Sequence, residues 1–591
     1  MSSATFPTGS PLRQAPTYAH NHRRLWRRGL LLVIAVAMLG VLAMPLARKA
    51  KRKLFGPFPA PVPAKVVRAV PSDGAVGIPV DVSIRATFRL GTRPIDPASV
   101  GSHSVFLVRA GDQAPVPVDV TLTGDAELLI RPLASLLPLT NYNMLVSPMV
   151  KDLGGTPVTP TIMGFTTAGS PLPGVAFDKV ELPTTSGFMW TCVAFGPDGR
   201  LYAGCDDGRI YRFRLDADGI LDQPELLDGL QKHASGPRLL TGFCFDPSST
   251  PDNLIVYASN GHYAYDNAED LSGRITRLSG DRLQDAHDIV TGLPRSVGDH
   301  LTNQPSFGPD GCLYIPQASN TAFGDADPIW GMRPERRLNA TILRLDLNAL
   351  PRDPVSGLPA TLDARTGDVG GTFDPTSPGA PLTVYADGVR LAYDLLWHSN
   401  GRLYVPVNGS SSGGNAPAGM GAPQLRAIST AEDDWLFCVT PGRYYGHPNP
   451  QAGHFVLNGG NPSAGYDYGE TSQYPVGTMP DPLWQRPAWV IGQHYSPNGI
   501  IEYHADHFGG MLKGRILVPR YSRGKDILVL TLDSAGNVVR ADCQIPGLRD
   551  FQNPLDLVEN PANGDLYVAD LMAKKIVLCR PRPPATASSD R

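Results

Sequence analysis

From about residue 190 onward, apolar and polar positions fall into short runs broken by tight turns. One phrase recurs: an apolar run, a turn, then Leu-Tyr or a close equivalent and a second apolar run. It reads VAFGPDGRLYAG around Phe195, SFGPDGCLYIP around Phe307, LLWHSNGRLYVP around Trp397 and LDLVENPANGDLYVAD near the C-terminus, with a looser copy around Phe245. Each copy predicts a β-hairpin. Gly, Asp and Asn accept the positive φ of a tight turn, and Pro pre-sets the φ before it. The flanking Val, Ile, Leu, Tyr and Phe suit buried strands. A sixth signal spans 511–532, with its turn at Ser522-Arg523-Gly524. One hairpin cannot bury its own faces, but several repeated around an axis can, which predicts a six-bladed β-propeller over 175–582. The repeat is wider than the usual ~45 residues on both sides of Gly401, and the excess reads as loops at about 352–380, 410–430 and 450–490.

Residues 64–168 show a different alternation, that of a separate β-sandwich. Pro71, Asp73 and Gly74 come early and Phe88 sits on a strand. Leu137 to Tyr142 precede a late strand, Asp152-Leu153-Gly154-Gly155 form a turn, and Phe165-Thr166-Thr167 close the unit. This resembles the bacterial Ig-like module of surface and exported proteins, usually a spacer or adhesive domain. The linker GSPLPG (169–174) leads to the propeller region, and the Pro-rich stretch 54–63 reads as a semi-stiff spacer.

Composition supports an all-β, ordered chain: 62 Gly and 58 Pro in 591 residues, 42% hydrophobic and 18% charged. Ten of the 52 Lys and Arg lie in residues 1–55, which hold no Asp or Glu; the remainder carries 42 basic against 55 acidic residues. That mildly acidic balance argues against a nucleic-acid partner. The basic segment brackets the apolar run 29–47, whose 19 residues would rise roughly 28 Å as a helix, about a bilayer's hydrocarbon thickness. It reads as a cleaved signal peptide or a retained transmembrane helix. Its length and the five basic residues that follow favour the anchor. The expected order is a cytoplasmic basic tail (1–28), a membrane span (29–47), folded domains in the periplasm or exterior, and a disordered tail (583–591). The oligomeric state is open. All seven Cys lie in the propeller region. Cys192 and Cys205 flank one turn almost symmetrically, so a hairpin either pairs them as a disulfide or buries them as free thiols.

Four constellations carry candidate chemistry. Asp299-His300 precede the Phe307 hairpin; a His beside a carboxylate suits a general base. Gly388-Val389-Arg390 precede the Trp397 hairpin, where a guanidinium can meet an anion or a quinone oxygen. Asn408-Gly409-Ser410, followed after a loop by Asp433-Asp434, offer carbonyls and a carboxylate of the kind Ca²⁺ takes. GRYYGHPN (442–449) brings aromatics and a His. Each also has an ordinary structural explanation, as packing, turn or salt-bridge residues.

In order and spacing these constellations resemble the glucose/sorbosone dehydrogenase family, six-bladed propellers that use pyrroloquinoline quinone (PQQ) and calcium. The resemblance covers roughly 190–580. It implies that His300 takes the substrate hydroxyl proton, that Arg390 binds the quinone, and that Asn408, Gly409, Ser410 and Asp434 hold calcium. Several of the family's clamp positions differ here. Its Asn is Leu391, its Gln is Pro237, its Lys falls on Ser522, and two late Arg fall on Asn553 and Leu555. Arg520, Arg523 and Arg549 lie near enough in sequence to stand in for them. The sequence therefore supports a membrane-anchored PQQ- and calcium-dependent aldose dehydrogenase. The alternative is a non-catalytic surface propeller that binds a small sugar, a polysaccharide or a protein. A calcium hydrolase has the fold in its favour but no matching carboxylate set.

Overall fold

The alternation of buried and exposed positions becomes strands wherever it was strongest. In the computed structural model, which describes residues 61–110, 114–463 and 469–583, Ile84–Arg89 alternates strictly between buried and less buried side chains. The basic tail, the apolar run 29–47, most of the Pro-rich spacer and the tail after 583 lie outside the described residues. Among the described residues no helix is long and apolar enough to cross a membrane.

The N-terminal domain is a sandwich of two sheets. One orders Lys65–Val70, Ile84–Arg89, Glu127–Pro132 and Val118–Thr123; the other orders Ala75–Ile78, Thr161–Thr167, Asn141–Val146, Val105–Arg109 and Pro115–Val116. Ile84, Phe88, Leu107, Leu128, Ile130, Tyr142 and Phe165 form its core. The Tyr142 hydroxyl accepts from the Leu137 amide at 2.9 Å, and Asp152 accepts from the Gly154 and Thr156 amides, both at 2.8 Å. These bonds explain the two turn phrases read from the sequence.

The rest of the described residues make six sheets, each built on four antiparallel strands taken mostly in chain order. The first contains Trp190–Phe195, Leu201–Cys205, Ile210–Phe213 and Glu225–Leu227. The second adds a short parallel strand, Leu362–Asp363, at its edge. The sixth is completed from the other end of the domain: Phe177–Glu181 pairs with Lys575–Pro581. Apolar clusters fill every junction: first with second sheet, second with third, third with fourth, fourth with fifth, fifth with sixth, and sixth with first. The sheets therefore close into a propeller-like ring with no open end. The sandwich meets it where Leu139 packs on the cluster between the fourth and fifth sheets.

One open alternative is decided and one expectation needs correction. Cys192 and Cys205 are both free and buried. A bulge between Trp190 and Cys192 sets Cys192 opposite Gly204 and Trp190 opposite Cys205, so the two thiols are not cross-strand partners. The hairpin signal at 511–532 is also not the counterpart of the others. It joins the second and third strands of the fifth sheet (Ile516–Arg520 and Asp526–Leu532), whereas the GPDG-type turns join first and second strands. Its turn thus lies on the opposite side of the ring from theirs.

Candidate functional site

Strand order decides where loops meet. In each sheet the first strand ends at the tight turn and the second returns, so the segment before each first strand and the loop after each second strand share one mouth of the ring. Asp299 and His300 precede Ser306–Phe307, and Arg390 precedes Leu396–Trp397. Asn408 to Ser410 follow Leu403–Val407, Asp434 opens Asp434–Val439, Arg520 ends Ile516–Arg520, and Arg523 lies in the loop after it. Arg549 precedes Pro554–Glu559. The topology assigns all of them to one side, and hydrogen bonds determine which form a common wall.

His300 and Arg390 do. The His300 Nδ1 lies 3.0 Å from the Ser319 carbonyl and 3.2 Å from the Ser319 hydroxyl. The carbonyl can only accept, so Nδ1 carries the proton and Nε2 keeps its lone pair. The ring packs against Trp330, with centroids 4.1 Å apart and planes tilted by 40°. Ser319 also donates its amide to the Arg390 carbonyl at 2.8 Å. Burial, then the Arg390 guanidinium, holds the His300 pKa well below its ordinary value, so the imidazole is neutral. Asp299 is exposed on the adjoining rim.

Arg390 is buried, lies over the Trp330 ring at 6.0 Å and gives its hydrogen bonds to carbonyls. Its Nε donates to Ala322 at 3.2 Å, and its Nη1 lies 3.1 Å from both the Asn408 and Gly409 carbonyls. Burial lowers its pKa; Glu432, Asp299, Asp434 and Glu335 oppose that shift. The carbonyls assigned to calcium therefore face a guanidinium. Asp434 is committed as well. Its Oδ1 accepts from the Gly409 amide at 2.8 Å, and its Oδ2 accepts from the Tyr495 and Ser496 amides at 2.7 and 2.8 Å. Burial raises its pKa to about 6. Ser410 gives its amide to Glu432 at 3.0 Å. These groups staple two loops together and do not present an open oxygen shell, so as arranged they do not fit calcium. Among the described residues no group of three or more His, Cys, Asp or Glu is placed to hold a metal ion.

The cofactor clamp does not assemble either. Arg520 pairs bidentately with Asp526, Nε–Oδ1 and Nη2–Oδ2 both 2.7 Å, and lies over the Tyr495 ring. Arg523 is exposed, with Nη1 3.4 Å from the Gln493 carbonyl. Arg549 is exposed beside Asp550, and its carbonyl accepts from Lys179 on the outermost strand of the sixth sheet, which places it toward the outer edge. The residues present do not fit a tricarboxylate quinone.

Several residues of the wall carry no sequence signal. Glu335 accepts from the Asn320 and Thr321 amides, at 2.9 and 3.0 Å, and contacts His447 Nε2 at 2.9 Å. The GRYYGHPN segment thus enters the site through His447. Tyr265 and Tyr263 hydroxyls reach Asp206 at 2.7 and 3.3 Å, leaving both rings exposed on the rim at 52% and 37%. Gly298 sits between Trp330 and the Tyr265 carbonyl. HYAYD (262–266) shows the two tyrosines at alternate positions, the one hint that they share a face.

Deeper in, the ring is plugged. The Tyr393 hydroxyl lies 2.8 Å from the Thr191 carbonyl and 2.6 Å from the Thr241 carbonyl, tying the fourth sheet to the first two. Asp394 accepts from Ile500 and Asp556 from Val193, and Gln304 bridges the two carboxyls. Burial raises both carboxyl pKa values.

Comparisons with known proteins bear on the domains separately. Residues 60–167 match the bacterial Ig-like domain family. Residues 192–213 match the strictosidine synthase-like N-terminal family. No curated protein matches the chain. Similar solved structures include the PQQ domain of pyranose dehydrogenase from Coprinopsis cinerea, at 13% identity over 70% of this chain and 98% of that one, with a TM-score of 0.45. Auxiliary nutrient binding proteins of Bacteroides thetaiotaomicron (11% identity, 88% and 98% covered, TM-score 0.29) and Bacteroides ovatus (11% identity, 89% and 98% covered, TM-score 0.25) are also similar.

Proposed function

We propose that the six sheets are the blades of a six-bladed β-propeller that binds a sugar at its His300 mouth, displayed outside the cell on an Ig-like spacer and an N-terminal membrane anchor. One observation carries this reading. Trp330, Tyr265 and Tyr263 line a rim whose floor is hydrogen-bonding His300, with Asp299 beside it. Aromatic faces bury the C–H face of a pyranose, while neighbouring polar groups meet its hydroxyls. The cations that would hold a quinone are already engaged with protein carbonyls or Asp526.

A dehydrogenase is the second reading, favoured by the free Nε2 of a neutral His300 beside Arg390. Such a nitrogen suits acceptance of a hydroxyl proton. Calorimetric titration of the protein with neutral monosaccharides and their oligomers tests the binding reading. Trp330→Ala and Tyr265→Ala should each weaken binding about ten-fold. Unchanged affinity in both would exclude this rim.

A further inference from the structure

Glu335 lies in the irregular loop between Leu313–Gln317 and Thr341–Leu345, and its carboxylate is buried. Burying such a charge is costly unless donors surround it. Oε2 accepts from the Asn320 amide at 2.9 Å. Oε1 accepts from the Thr321 amide at 3.0 Å, the Thr321 hydroxyl at 2.6 Å and His447 Nε2 at 2.9 Å. The Asn320 amide matters most, because it shares a peptide plane with the Ser319 carbonyl, and that carbonyl holds His300 Nδ1. A trans peptide is rigid, with its N–H and C=O pointing opposite ways. Glu335 therefore grips one end of the group whose other end fixes the His300 proton. The same stretch serves Arg390: the Ala322 carbonyl accepts from its Nε, and the Ser319 amide donates to its carbonyl. Buried Asp327 adds a second brace, taking the Ala322 amide at 3.1 Å and the Trp330 amide at 3.0 Å. His447 ties Glu335 to the next sheet's loop, since its own amide donates to the Gly388 carbonyl at 3.0 Å.

We propose that Glu335, braced by His447, is a positioning residue of the mouth: through the 319–320 peptide it keeps the His300 proton on Nδ1, so that Nε2 is an acceptor and the mouth selects a sugar that donates a hydroxyl there. This rests on the sugar-binding reading above. Which nitrogen of a neutral imidazole carries the proton is set by the bond the other makes. Without a fixed carbonyl at Nδ1 the proton is free to move to Nε2, and the acceptor becomes a donor. A carboxylate at the far end of the peptide also polarises it, which strengthens the bond at the His300 end.

The test is imidazole NMR of the histidine-labelled protein, with His300 assigned by the signal that His300→Gln removes, together with calorimetric titration with glucose and galactose. The native protein should show His300 as the Nδ1–H tautomer. Glu335→Gln keeps the shape but turns an NH₂ group toward an amide that is itself a donor, so His300 should become a mixture of tautomers and sugar affinity should fall about ten-fold. Phe177→Ala, a core change between the fifth and sixth sheets, should leave the His300 tautomer as it was, which separates positioning from general loss of stability. A native Nε2–H tautomer, or an unchanged His300 signal in Glu335→Gln, overturns the proposal. Should Glu335→Gln fail to fold, Glu335→Asp, one methylene short of the Asn320 amide, carries the same test. A tautomer shift with undiminished sugar affinity overturns the acceptor role of Nε2. If the tautomer shifts and neither sugar binds the native protein, the positioning role stands and the sugar reading falls.

Discussion

His300 and Arg390 occupy one wall with opposite electrostatic fates. The arginine keeps its charge by collecting three carbonyl oxygens, while the histidine loses its proton to burial and to the arginine's field. The sign of the consequence follows. A histidine whose folded pKa lies below the unfolded value near 6.5 takes up a proton on unfolding, so its contribution to stability is complete above that pH and declines as pH falls below it. His300→Gln should therefore flatten the loss of thermal stability between about pH 7 and pH 5, read from melting temperatures across that range. An unchanged slope would mean that the imidazole titrates freely. At this scale the sequence was a partial guide. His300 and Arg390 were legible because each lies just before a hairpin. Trp330, Ser319 and Glu335 lie in an irregular loop with no periodicity to mark them. The calcium assignment did not anticipate this arrangement, because backbone carbonyls carry no residue identity and nothing in Asn408-Gly409 announces that Arg390 turns toward them.

The tight turns were legible for a concrete reason. Gly199, Gly311, Gly401 and Gly564 all take positive φ, between 70° and 79°, in the turns that link first and second strands. Gly311 has no atom within 4 Å of where a Cβ would sit, so Gly311→Ala meets only the backbone penalty. We expect a loss of about 1 kcal/mol, seen as a modest fall in melting temperature with unchanged secondary structure. A neutral effect would place the turn in another conformation. The fifth sheet misled because a long loop, 503–515, and not a tight turn joins its first strand, Ile501–Glu502, to its second. The visible Ser-Arg-Gly turn belongs one strand later and faces the mouth.

Closure is a property of the whole molecule, and the hairpin repeat alone does not show it. The ring closes because Phe177–Glu181, which immediately follows the linker, crosses to the last strand, Lys575–Pro581. Phe177 is wholly buried and packs edge-on to Phe508 at 5.3 Å and Tyr503 at 6.5 Å. Phe177→Ala should cost about 3–5 kcal/mol and expose the sixth sheet first to hydrogen exchange; uniform exchange across all six sheets would argue against a closing strand. The same closure gathers the mouth loops around a plugged centre, where Tyr393 bridges to the first and second sheets. The mouth is rimmed by Tyr263 and Tyr265, and Arg390 and Arg520 there already hold carbonyls and Asp526. The sugar-binding proposal predicts that a sugar, and not a quinone with its calcium, occupies it. The most direct test is titration of the protein with PQQ in saturating calcium, followed by heat and by quinone absorbance. The account predicts no stoichiometric heat and no spectral shift. One-to-one binding, with aldose-dependent dye reduction that disappears in His300→Ala, would contradict it.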